Sequence, residues 1–146
     1  MCRSVLLLAL ALGVAGCGGE NERLSRAEFV DRATAICARA EERIGEPAEP
    51  RSVDELATYA REARAITEEG VGDLRELEPP EPLEGGFDRY LESADEVVDL
   101  LGELERAAGA GDEEESRRIA QQIGTSAEAQ GAARAAGIPG CEDEGS

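Results

Sequence analysis

One stripe of apolar residues constrains this chain more than any other feature: Phe87, Tyr90, Leu91, Ala94, Val97, Val98, Leu101, Leu104 and Ala108 recur at spacings of three and four. That period belongs to a helix with one buried face. It predicts a helix from about Leu83, the most buried in the molecule. Three further stripes have the same period. Phe29, Ala33, Ile36, Cys37, Ala40 and Ile44 form the first; Leu56, Tyr59, Ala63, Ile66, Gly70, Leu74 and Leu77 form the second. Ile119, Ile123, Ala127, Gln130 and Ala133 form the last, which is thin and rich in alanine.

The punctuation between the stripes agrees with four helices. Ser25-Arg26-Ala27-Glu28 and Ser52-Val53-Asp54-Glu55 both have the spacing of a capping box, and Leu24 is placed to staple onto Phe29. Gly45 should stop the first helix, with Pro47 and Pro50 holding the connection extended. Gly70 and Gly72 each weaken the second helix by about 1 kcal/mol relative to alanine, so a kink or a close helix contact is expected there. Glu78-Pro79-Pro80-Glu81-Pro82 must end that helix, since prolines lack the backbone donors. This run also has the composition of a polyproline ligand, but a rigid turn is the simpler reading. Gly109-Ala110-Gly111 reads as a tight turn, after which Asp112 can cap the fourth helix with Glu113, Glu114 and Glu115 at the positive end of its dipole. Gly124, Thr125 and Ser126 imply a local bend. Gly137 should end the helix with a left-handed cap, Ile138 making the hydrophobic contact and Pro139 the stop. Four such helices with short connections predict an all-α fold, an antiparallel up-down four-helix bundle.

The first sixteen residues have a different character. Arg3 precedes the apolar run Val5–Val14, which is too short to span a bilayer and ends in small residues, as secretory signals do. The closing Val14-Ala15-Gly16-Cys17 resembles the lipobox of bacterial prolipoproteins. That resemblance implies cleavage between Gly16 and Cys17, a lipid on the Cys17 sulfur, and anchoring on the extracytoplasmic face of the cell membrane. The expected organisation is a lipoprotein signal peptide over 1–16, a lipidated tether over 17–23, the bundle over 24–141 and an acidic tail over 142–146. Residues after the cleavage point are enough for one domain.

With Cys2 lost in the leader and Cys17 taken by lipid, Cys37 and Cys141 remain, and two cysteines in an oxidising compartment predict one disulfide. A redox-active pair would need a motif such as Cys-x-x-Cys and an activating cation, neither of which is present. In an up-down bundle Cys37 lies about 18 Å along the first helix from its start. The tail from Gly137 to Cys141 must therefore turn back and lie along that helix, reaching about 13 Å if extended.

Composition narrows the function. The chain has no His, which removes the commonest general base and transition-metal ligand, and excludes the usual di-metal site of helical bundles. Ser93 and Asp95 lack an orienting partner, and Asp112 to Glu115 splay around a helix start without the pattern of a calcium loop. No catalytic residue, metal ligand or cofactor is expected. There are 33 acidic and 15 basic residues, all of the latter arginine, and loss of Arg3 with the leader takes the formal charge from −18 to −19. Such a surface repels nucleic acid and favours a cationic partner.

Beyond the lipobox, the domain resembles the small helical lipoproteins of unknown function common in actinobacteria. The likeness rests on Phe29-Val30-Asp31-Arg32-Ala33 leading into Ala35-Ile36-Cys37, on Leu74-Arg75-Glu76-Leu77-Glu78-Pro79-Pro80, and on Gly137-Ile138-Pro139-Gly140-Cys141. It implies an envelope location and a helical fold, with no activity attached. The leading expectation is a non-catalytic interaction module, membrane-bound through lipid on Cys17, that docks a basic or helical envelope protein. The alternative is a small-ligand or cation-binding lipoprotein. The alanine-filled stripes predict little room for a cavity, which favours the first.

Overall fold

The computed structural model describes residues 23–45, 50–124 and 127–141. The leader 1–16, Cys17 and its tether up to residue 22, Pro47, the bend at Thr125 and Ser126, and the tail 142–146 lie outside the described residues, as do the side chains of Ala127 and Gln130. The fold is all-α. Helices α1 (Arg26–Ile44), α2 (Val53–Arg75), α3 (Glu84–Gly109), α4 (Glu113–Gly124) and α5 (Ala127–Ala136) follow in order, with 3-10 turns at Glu81–Leu83 and Pro139–Cys141. The described residues contain no strand. The fourth stripe is thus described as two helices.

Local chemistry sets these boundaries. At the start of α1 the Glu28 N–H donates to Ser25 Oγ (3.3 Å) and the Ser25 N–H donates back to Glu28 Oε2 (3.1 Å), completing the capping box. Hydrogen bonding from the Ser25 side chain and then its backbone holds the Glu28 carboxyl below its ordinary value of 4.5. Because the folded value is the lower one, the box contributes fully above pH 4.5, and its contribution is lost as pH falls through the folded value. A carboxyl NMR titration should therefore give Glu28 a midpoint below 4.5. Ser25→Ala should move it up toward the ordinary value, the backbone N–H at position 25 still donating, and destabilise the domain by about 1 kcal/mol; an unmoved midpoint would contradict the assignment.

Ser52 also caps its helix, accepting the Glu55 N–H at 3.2 Å. The second box differs from expectation: the Glu55 carboxylate takes the Arg51 N–H (2.8 Å). It reaches one residue further back than the motif requires. Gly45 ends α1 at a φ of 67°, and α2 stops at Arg75, ahead of the prolines. A Cβ placed on Gly70 would lie 3.6 Å from Ala40 Cβ, an ordinary van der Waals contact, and Gly72 has open space around it, so neither glycine is required by a close helix approach.

Helix α2 packs against α1 and, more extensively, α3; α3 also receives α4 and α5. Ion pairs cross the seams. Arg39 to Asp73 (3.3 Å) and Arg43 to Glu69 (2.7 Å) join α1 to α2, and Arg64 to Glu105 (3.2 Å) and Arg75 to Asp95 join α2 to α3. Mostly exposed pairs of this kind contribute little energy individually.

The core falls into two clusters. The larger gathers Phe29, Ala33, Leu74, Leu83, Phe87, Ala133, Ala136 and Ile138, with Ile36 and Cys37 at its margin. Phe29 meets Phe87 edge to face, ring centroids 5.0 Å apart. The smaller cluster is Ala60, Leu104 and Ile119, flanked by Leu56, Leu100, Ala107 and Ile123. On α2 the buried positions include Ala60 and Val71, each one residue beyond the Tyr59 and Gly70 of the expected stripe. On α3 the buried positions Gly86, Phe87, Leu101, Leu104 and Ala108 lie toward its two ends, while Tyr90, Ala94 and Val97 between them are half-buried. Those side chains face an open cleft.

The C-terminus closes the fold. Gly137 adopts a φ of 73°, its N–H donating to Arg134 O (3.1 Å) and the Ile138 N–H to Ala133 O (3.0 Å). Both bonds belong to the Schellman motif. Ile138 is fully buried, and Cys141 is disulfide-bonded to Cys37, their Cα atoms 5.3 Å apart. The tail does lie along α1, as a compact 3-10 turn rather than an extended strand. Extension is unnecessary, because Ala133 and Ala136 already share a cluster with Ile36 and Cys37.

Candidate functional site

Small side chains create a space between the two core clusters. Ala40 on α1, Ala63 and Gly70 on α2 and Ala94 on α3 border a cleft of about 290 Å³. Larger apolar groups complete it: Ile36 and Ile44 from α1, Val71 and Leu74 from α2, Val97 and Leu101 from α3, and Ile123 from α4. The Cys37–Cys141 bridge forms part of the wall. Alanine and glycine leave space here where longer side chains at the same positions would reach in. The expectation of little room for a cavity is therefore corrected.

The polar groups of the cleft are few. Thr67 donates its hydroxyl proton to Ala63 O (2.8 Å) and Ser93 to Tyr90 O (2.8 Å), so both turn lone pairs outward. The Tyr90 hydroxyl lies 3.8 Å from Cys37 Sγ. Tyr59 contributes a second phenol, whose ionisation burial pushes above its ordinary value of 10, leaving it neutral. Glu41 is the one charged side chain among the described lining residues. An apolar body with a few convergent polar groups, at the lower end of the usual size range, has the character of a small-molecule site.

A second, more polar depression of about 510 Å³ lies between α2 and α3. Arg64 crosses it, pairing with Glu68 (2.9 Å) and Glu105 (3.2 Å) while its side chain lies over Gly102. This arrangement braces the seam.

The residues singled out by sequence divide clearly. Cys37 and Cys141 are brought together, whereas Cys17 lies outside the described residues. Asp112 Oδ1 accepts the Glu115 N–H (3.0 Å), and Glu115 pairs with Arg118, so these acids organise a helix start. Ser93 is bonded to its own helix and Asp95 to Arg75. Among the described residues, no three acidic or cysteine side chains are grouped as metal ligands, and no helix is long and apolar enough to cross a membrane. Sequence reading did not mark Tyr59, Thr67 and Glu41 as a common lining; only knowledge of which faces meet could have done so. Compared with known proteins, the chain matches no family model, no curated protein and no solved structure.

Proposed function

We propose that this chain is a lipid-anchored lipoprotein of the cell envelope whose helical domain holds a small apolar ligand in the cleft between α1, α2 and α3. The cleft is the observation that carries the reading, because a purely structural helical bundle would fill that space with larger side chains. Anchoring rests on the lipobox-like Val14-Ala15-Gly16-Cys17, and the Cys37–Cys141 bridge agrees with an oxidising compartment. The resemblance to envelope lipoproteins is in keeping with both. An up-down-up-down topology, with α4 and α5 together as the fourth member, is the arrangement we favour: from Arg39–Asp73 to Arg43–Glu69 the partner moves back along α2 as the arginine moves forward along α1. The domain acts without catalysis.

A direct test uses N-phenyl-1-naphthylamine, a neutral dye that brightens in apolar surroundings. The protein should bind it with micromolar affinity, and Ala94→Phe, which puts a ring into the cleft, should weaken binding more than tenfold without lowering the melting temperature. Absence of dye binding by the folded protein would overturn the reading. Labelled palmitate should enter the full-length chain in its host and be lost in Cys17→Ala.

The strongly acidic surface favours one second reading, a module that docks a basic envelope protein. Crosslinking of the anchored protein in its native envelope, with Cys17→Ala as control, would then capture one dominant partner, and the capture would weaken with salt.

A further inference from the structure

Resting on the reading of the cleft as a ligand site, we propose that it selects amphiphiles with a cationic head over those with a carboxylate or phosphate. No arginine is among the described lining residues, and Glu41 is the single charge. The hydroxyl protons of Thr67 and Ser93 are already committed to backbone carbonyls, which leaves oxygen lone pairs facing the ligand. Main-chain amides inside α1, α2 and α3 are committed to helical bonding. An anionic head entering here would lose its water and meet no cation among the described lining side chains, with the phenols of Tyr59 and Tyr90 as the remaining hydroxyl donors, which is costly for a charge. A primary ammonium head finds the reverse: three donors of its own, hydroxyl acceptors, and the negative field of the Glu41 carboxylate at the exposed rim. The charge of the whole chain acts in the same direction, since its excess of acids raises the local concentration of cations and lowers that of anions. The apolar part of the ligand is bounded by volume. About 290 Å³ is roughly twice the 150 Å³ cavity known to take benzene, so a short alkyl chain or a fused ring pair fits.

The decisive experiment compares three probes with one tail: octylamine, octanol and octanoate, each displacing N-phenyl-1-naphthylamine from the full chain carrying Cys17→Ala so that no lipid competes. Octylamine should displace the dye at a concentration at least tenfold below octanoate, with octanol between them. Glu41→Gln should weaken octylamine several-fold and leave octanol unchanged. Equal displacement by all three, or preference for octanoate, would overturn the charge selectivity while leaving the cleft as a ligand site. Failure of the dye itself to bind would overturn both, and an amine preference untouched by Glu41→Gln would remove Glu41 from the proposal and leave the acceptor-rich lining as its cause.

Discussion

Replacing both Cys37 and Cys141 by serine should destabilise the domain by about 3–4 kcal/mol and lower its melting temperature by roughly 10–15 °C. The bridge joins residues 104 apart in sequence, and closing a loop of that length removes enough disorder from the unfolded chain to give an upper figure of about 4.7 kcal/mol. The expected loss is smaller because part of the tail's attachment survives the substitution. Ile138 remains fully buried, and Gly137 still caps α5. Helix content at low temperature should accordingly stay near the wild-type value by circular dichroism, while thermal unfolding moves far down. Cys141 also borders the cleft, so dye binding should weaken in the same variant. A shift below about 3 °C would mean that the C-terminal turn is held by Ile138 alone, and that the bridge contributes little beyond covalent insurance.

What could be read in the sequence was local. Ser25 with Glu28, Gly45, the proline run and Gly137 each fix a boundary through bonds made within a few residues, and each appears where the pattern placed it. The cysteine pair was legible for a different reason, arithmetic rather than geometry. Features that depend on which faces meet were not. Along α2 the spacing admits two adjacent stripes about 100° apart, one through Tyr59 and Gly70 and one through Ala60 and Val71. Alanine carries too little apolar weight to decide between them, and in the fold Ala60 and Val71 are buried while Tyr59 and Gly70 are only half-buried at the cleft. The cleft is the sum of small residues on several helices, so no single segment announces it. Glu55 shows the same limit on a smaller scale, its carboxylate choosing between two neighbouring amides that the motif alone does not distinguish.

Gly86→Ala should destabilise the domain by about 1–3 kcal/mol, although the same substitution at Gly72 should stabilise it by about 0.5–1 kcal/mol. Both glycines lie inside helices, and in each case alanine removes the entropic penalty of glycine in a helix interior. Their surroundings decide the sign. Nothing lies within 4 Å of a Cβ built on Gly72. A Cβ on Gly86 would stand 2.5 Å from Ala135 O and 2.8 Å from the Ala135 carbonyl carbon, which is main chain and cannot rotate away. Helices α3 and α5 would have to separate at the level where Phe87, Ala133, Ala136 and Ile138 pack together, loosening contacts that stabilise the larger cluster. The tail follows α5, so the displacement would carry through Ile138 to the bridge and the wall of the cleft. Thermal melts of the two single variants decide the matter. A stable Gly86→Ala protein would mean that α5 does not approach α3 this closely, and the position of Cys141 beside the cleft would then need revision.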